Sequence, residues 1–502
     1  MVTKNRNLAI LLVAVVAVVS TASIGQAYAQ MVTDTQAGNI YTGNTAECWM
    51  DSDADGAMDT PCAIDSGHTA FVYTATTLVL WMTPGVAFFY GGLARSKNAV
   101  NTIGMTFIVI GLISLQWVLW GFSIAFGPEA DGVNEFASSF DYIGLNKVSH
   151  LAPLGAPLDD GTCLQTASCG SDYWAGLIPH QLFSMFQLTF AIITPALIVG
   201  ALIDRIKFSA FLIFIILWAT FVYDPVAHWV WGGGWLGGLD LNPDLSPSFA
   251  LDFAGGTVVH ITSGFSGLAA ALVLGRRLGY GKVPMEPHNV PMVVLGASML
   301  WFGWFGFNPG SELAADGVAV SAWVVTNTAT AMASITWLLM SWAHTGKPSI
   351  VGAATGAVAG LVAITPASGW VGPMASIIIG IVAGTVCYGA VAFKNARKWD
   401  DALDAWAVHG VGGFAGAVLT GTLASPHIFG GIGAWTGTPE GMEQQAINVI
   451  GAISTTAYAF VVTIVILKIM DAIWPGGIRV TPKEEEVGLD LAQHGERAYV
   501  NE

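Results

Sequence analysis

His260 and His409 are imidazoles set in glycine-rich apolar runs, VVHITSG (Val258 to Gly264) and AVHGVGG (Ala407 to Gly413). A titratable side chain in hydrocarbon is costly, and by default it marks a pathway or a site rather than packing. A neutral imidazole both donates and accepts a hydrogen bond, so a buried pair suits a small polar solute or a relayed proton. The two histidines occupy similar settings near the ends of two successive halves of the chain. That placement predicts a duplicated transport unit with one shared pore.

Aromatic side chains cluster where such a pore would open. Trp231, in WVWGGGW, precedes three glycines that allow close backbone approach. Phe186 and Phe190 lie four residues apart, on one face of a helix, and Phe307 and Trp304 belong to WFGWFGFNPGS, with Ser311 just beyond. Aromatic faces attract small cations by ~0.5–2 kcal/mol each. Taken singly, each of these residues reads as a membrane-interface belt residue.

The elements that must position these groups are membrane helices. The chain has 502 residues, 54% of them hydrophobic and only 10% charged, whereas a soluble domain carries about 25% charged residues. Sixty glycines in this setting fit close helix packing. The net charge of -16 is concentrated in loops and tail, which argues against nucleic acid as a partner. Lys4 and Arg6, the apolar run Leu8 to Val19 and Ala27-Tyr28-Ala29 form a cleavable signal peptide over 1–29. An external segment follows over 30–67, then a membrane domain over 68–470 and a cytoplasmic tail over 471–502.

Eleven apolar stretches are predicted near 69–90, 99–126, 177–203, 208–230, 253–274, 289–307, 320–343, 350–365, 371–393, 403–424 and 445–470, most of them with the ~20 residues a bilayer requires. Beyond the signal peptide, Lys and Arg fall after odd-numbered stretches, apart from Lys147. The positive-inside rule therefore predicts an external N-terminus and a cytoplasmic C-terminus. Two sets of five helices must then run in opposite senses, an inverted 5+5 repeat with one helix added. Counting residues puts both imidazoles near the midplane, within reach of each other. A fainter echo is Thr194-Pro195-Ala196 against Thr365-Pro366-Ala367.

Four cysteines, Cys48, Cys62, Cys163 and Cys169, fall in external segments and can pair in three ways, with short-range pairing preferred. Asp51 to Asp59 lacks the final Glu of a calcium loop and reads as a solvated acidic loop. No metal spacing links the histidines, and no phosphate-binding loop is present, so neither a metal site, a cofactor nor an enzyme is expected.

Long motifs identify the chain as resembling the ammonium transporter, methylammonium permease and Rhesus family, on its ammonium transporter branch. They are FFYGGLARSKN (Phe88 to Asn98), GALIDRIKFSA (Gly200 to Ala210), LDFAGGTVVHITSG (Leu251 to Gly264), KVPMEPHNVPMV (Lys282 to Val293), WFGWFGFNPGS (Trp301 to Ser311), DAWAVHGVGG (Asp404 to Gly413) and the tail GLDLAQHGERAY (Gly488 to Tyr499). The resemblance implies ammonium recruitment by Trp231, Phe190 and Ser311, and a pore gate of Phe190 and Phe307 with Phe186 and Trp304 beside it. It also implies a hydrogen-bonded histidine pair, His260 and His409. Asp252 matches the family's acidic residue at the head of helix 5. Its own chemistry reads as a buried N-cap with an indirect effect on cation affinity. Pro309 and Ser368 depart from common family residues without touching an assigned role.

The resemblance further implies a homotrimer in the plasma membrane, with one pore per subunit, methylammonium as a possible second substrate, and a PII-class nitrogen-signalling protein at the cytoplasmic face. The alternative is an ammonium sensor on the same architecture, which the short tail disfavours. A haem protein with the two histidines as axial ligands fails on the glycine-lined context.

Overall fold

The computed structural model describes residues 49–50, 60–61, 64–127, 135–150, 178–242, 245 and 249–499. The predicted signal peptide and the four candidate disulfide cysteines lie outside them. The described chain is almost wholly helical. A two-residue antiparallel ladder, Trp49–Met50 with Thr60–Pro61, is its one named strand pair.

All eleven predicted stretches coincide with helices. They are α1 (Ser66–Leu93), α2 (Ser96–Phe126), α3 (His180–Leu202), α4 (Phe208–Trp231), α5 (Gly256–Leu274), α6 (Val290–Gly310), α7 (Gly317–Thr345), α8 (Ile350–Ala367), α9 (Pro373–Arg397), α10 (Trp406–Gly410 running into Val411–Leu423) and α11 (Pro439–Ile473). Ten of them, all but α10, are long and apolar enough to cross a bilayer. Their ends follow capping chemistry rather than hydropathy, which is why several extend past the apolar stretch. Asp65 accepts from the His68 N–H at the head of α1, Asp316 accepts from Val318 and Ala319 at the head of α7, and Ser349 accepts from Gly352 at the head of α8. Each satisfies backbone donors that a helix start leaves without partners.

α3, α5 and α8 are the most buried helices, whereas α7, α9 and α11 show most of their length at the surface. Exposed Tyr73, Trp81, Phe107, Phe302, Trp342 and Ile473 are what lipid or a neighbouring subunit would cover.

The tail ties the loops at one end of the bundle together. Asp490 accepts from the Val100 and Asn101 N–H groups at the head of α2, and Leu489 N–H donates to Asn98. Arg479 pairs with Glu485 at 2.8 Å, and Tyr499 Oη meets His288 and Asn289. Beneath the tail, Asp204 pairs with Arg95 (2.8 Å) and Arg277 (3.5 Å), and Asp400 pairs with Arg277 (2.8 Å) and Arg205 (3.6 Å). This end is called the tail end below, and the opposite one the Trp231 end.

Candidate functional site

The histidine pair is positioned by two local devices of the same kind. α5 opens on Gly255 in the left-handed region (φ 113°), which suits glycine, and continues as a π-helical turn, Gly256–Ile261, that carries His260. α10 opens on a π-helical turn, Trp406–Gly410, that carries His409. Such turns inside helices are frequent at functional sites because they re-aim one side chain. The helices cross with backbones in contact: a Cβ on Gly264 would lie 2.0 Å from the Gly410 nitrogen. Only glycine permits that approach, and it brings His260 Nδ1 to 3.3 Å from His409 Nδ1. One ring therefore donates to the other. Both are buried, at 1% and 4% exposure, and His260 Nε2 has no partner among the described residues.

Asp252 secures the head of α5. Its Oδ1 accepts from Gly255 (2.8 Å) and Gly256 (2.6 Å), and its Oδ2 accepts from Thr257 (2.8 Å) and Val258 (3.0 Å). Four buried donors converge on one carboxylate, a charge-assisted arrangement at the positive end of a helix.

An aromatic column joins this pair to the Trp231 end. The Trp231 ring lies 5.8 Å from Phe190, edge to face, and Phe190 lies 4.4 Å from Phe307. Phe186 flanks Phe190 at 5.0 Å. Phe307 lies 6.1 Å from the His260 ring and near parallel to it, and Trp304 stacks on His260 at 5.4 Å. Ser311 Oγ donates to the Phe307 carbonyl at 2.8 Å. The sequence-predicted residues thus form one line: Trp231, Phe190, Phe307, His260, His409. A tilted pair of phenyl rings stands between Trp231 and the two imidazoles.

Sequence reasoning assigns no site role to three partners of this line, Asp401, Thr365 and Asn308. Asp401 accepts from the Ala405 (3.2 Å) and Trp406 (2.9 Å) N–H groups at the head of α10, as Asp252 does for α5. The signal was available, since each aspartate precedes its histidine by eight positions. Thr365 and Asn308 accept from Trp304 Nε1 at 2.9 and 3.1 Å and so hold the ring that stacks on His260. The Thr-Pro-Ala echo has a structural content too: Thr194 and Thr365 donate back to Phe190 O (2.6 Å) and Leu361 O (2.7 Å).

The loops at the two ends differ in their electrostatics. Glu312, next to Ser311, is buried with Oε2 unpartnered among the described residues; burial and then the neighbouring Asp316 push its carboxyl up to about 8. At the tail end burial alone would raise Asp400, but hydrogen bonds from Arg277 and the charge of Arg205 outweigh it and hold the carboxyl below its ordinary value. Among the described residues no group of three or more His, Cys, Asp or Glu is placed to hold a metal.

This geometry agrees with three comparisons. The model of the Ammonium Transporter Family matches residues 70–499. Ammonium transporter Amt1 of Archaeoglobus fulgidus is 44% identical over 87% of this chain and 100% of its own, and the ammonium transporter of Bacillus subtilis is 45% identical over 86% and 98%. The crystal structure of Candida albicans Mep2 superposes with a TM-score of 0.74 at 38% identity, covering 87% of this chain and 91% of that one. A solved Sensor Amt Protein gives 0.73 at 28% identity, over 85% and 98%. With the motifs, the buried histidine pair and near-complete coverage in agreement, this polytopic membrane protein belongs to the ammonium transporter family.

Proposed function

We propose that the protein takes ammonium from outside the cell at Trp231, Phe190 and Ser311, removes a proton, and passes ammonia between His260 and His409 to the cytoplasm. The observation that carries this reading is the unbroken column from Trp231 through Phe190 and Phe307 to a bonded imidazole pair, in which no side-chain cation appears among the described residues.

Ammonium resembles potassium in size and charge, so size alone would not select it. Phe190 and Phe307 are buried, and moving a bare cation into such a medium costs on the order of tens of kcal/mol before relaxation. Ammonium has an alternative that potassium lacks. For an amine of pKa near that of Lys, ~10.4, losing a proton at pH 7 costs ~4.6 kcal/mol. The rings of Trp231 and Phe190 attract the cation, and the Phe190–Phe307 pair shuts out water. The imidazoles supply a donor and an acceptor to the neutral base, with His260 Nε2 open to it. They also offer the released proton a path. Asp252 acts through position: by fixing the head of α5 it fixes His260, and its negative charge favours a cation at the nearby mouth.

In this reading the tail end is cytoplasmic, as the Lys and Arg distribution requires. The signal peptide over 1–29 is removed, and homotrimers sit in the plasma membrane with a PII-class partner at the tail end. Purified protein in sealed vesicles tests the reading. An imposed ammonium gradient should produce a current or a lumenal pH change, lost in His260→Ala and His409→Ala, and half-saturation should rise in Trp231→Leu. Vesicles with neither signal would refute it.

A further inference from the structure

Two carbonyls stand in corresponding places of the repeat. The Asp252 carbonyl, eight residues before His260, accepts from Trp231 Nε1 at 2.8 Å, and Trp231 is the last residue of α4. The Asp401 carbonyl, eight residues before His409, accepts from Lys394 Nζ at 2.7 Å, and Lys394 lies in the last turn of α9. α4 and α9 each directly precede the histidine helix of their half. Lys394 therefore occupies at the tail end the place that Trp231 occupies at the other.

The two side chains act oppositely on a mobile cation. An indole face attracts ammonium through its quadrupole. A lysine head is itself an alkylammonium and repels a second cation at close range in a low-dielectric wall. Lys394 is held there: its Nζ also pairs with Asp404 Oδ1 at 2.7 Å, and its side chain is 6% exposed against 31% for Asp404. It thus neutralises Asp404, a partly exposed carboxylate three residues after Asp401 and five before His409. No described lysine or arginine pairs with Asp252, whose carboxylate is met by backbone donors alone.

We propose that Lys394 is a resident counter-cation that makes the tail-end mouth a poor ammonium recruiter, so that high-affinity capture is confined to the Trp231 end. The inference rests on the recruiting role proposed above for Trp231. Passive flux obeys detailed balance, so a lower half-saturation for entry must come with a proportionately lower maximal rate in that direction. The device sets working concentrations on the two sides without driving transport uphill.

The test uses full-length protein in sealed vesicles, with orientation assigned by protease access to the tail and ammonium chloride as the probe, read by current and a lumenal pH dye. Wild-type half-saturation from the tail end is expected to exceed that from the Trp231 end by roughly tenfold, the scale of one cation–aromatic contact. Lys394→Gln should lower the tail-end constant severalfold and leave the other unchanged, and Lys394→Arg should keep the wild-type asymmetry. Asp404→Asn, which keeps the lysine charge on the Asp401 carbonyl but leaves it without a neutralising carboxylate, should raise the tail-end constant. Equal wild-type constants from both ends overturn the proposal, as does a Lys394→Gln variant that shifts both constants alike or neither. Should Lys394→Gln not fold, the wild-type asymmetry and the Asp404→Asn shift decide it; an unchanged or lowered constant in the latter also overturns it. Trp231→Leu, run alongside, separates the two ideas. If it fails to raise the constant at its own end, the recruitment reading fails, whatever the Lys394 variants do.

Discussion

The Trp231 end and the tail end of the histidine site share one backbone plan and fill it with different chemistry. Each has an aspartate eight residues before a pore histidine, a π-helical turn that aims the imidazole, and a side-chain donor on the aspartate carbonyl. At the Trp231 end the carboxylate collects four backbone donors and the side-chain donor is an indole. At the tail end Asp401 collects two, and the donor is a lysine. The two ends share what positions the imidazoles, because both must reach one hydrogen bond, and differ in the side chain that meets the aspartate carbonyl.

The sharpest break in the comparison is Asp252→Ala against Asp401→Ala. Each buried donor left without a partner costs about 1–3 kcal/mol. Four donors are orphaned in the first variant and two in the second, so Asp252→Ala should lose most folded protein and all measurable flux. Asp401→Ala should keep a reduced share of both, as seen by size-exclusion yield and vesicle flux. An inverse order would mean that the number of orphaned donors does not set the worth of the two caps.

Next in size is Trp231→Leu. A cation–aromatic contact of ~1–2 kcal/mol corresponds to a rise of about 5–30-fold in half-saturation at that end, with the ratio of the maximal rates in the two directions shifting to keep detailed balance. Thr365→Val removes one acceptor of Trp304 and should cost about 1 kcal/mol of stability, with a modest loss of rate through the ring stacked on His260. Thr194→Val, its counterpart in α3, should lower stability without that loss, since no described indole bonds to it.

The smallest effect is opposite in sign at the two ends. Glu312 has a raised carboxyl, near 8, so folding favours its protonated form, and the stability this contributes is lost as pH rises towards and through 8. Asp400 is held low by Arg277 and Arg205, so its contribution is present above the ordinary carboxylate range and is lost as pH falls through its folded value. In hydrogen exchange corrected for its intrinsic pH dependence, residues 311–316 should open more readily as pH rises from about 4.5 to 8, and residues 398–405 as pH falls through the Asp400 value. Glu312→Gln should abolish the first change alone.

Legibility followed the length scale of each signal. Apolar runs locate all eleven helices, ten of them long and apolar enough to cross a bilayer, because every backbone group in lipid must bond within its own segment. Helix ends were less legible: α1 begins just after its Asp65 cap, and α7 runs up to the left-handed Gly346, because caps rather than hydropathy decide where a helix starts and stops. The motif residues His260, His409, Trp231, Phe190 and Phe307 were legible as site candidates, and Asp401 was equally readable from its spacing. Lys394 was not: a lysine near the end of an apolar helix ordinarily anchors at the interface, and nothing local distinguishes it from Lys398.

By itself the sequence determines that the chain is a bundle of membrane helices carrying two buried imidazoles, because composition and hydrophobic run length bear directly on solvation. Which atoms meet was decided only in three dimensions. The contact of Gly264 with Gly410, the bond between imidazoles 149 positions apart and the lysine that stands where the other half has tryptophan all depend on helices crossing at van der Waals distance. That is a property of packing, to which residue order along one helix is blind.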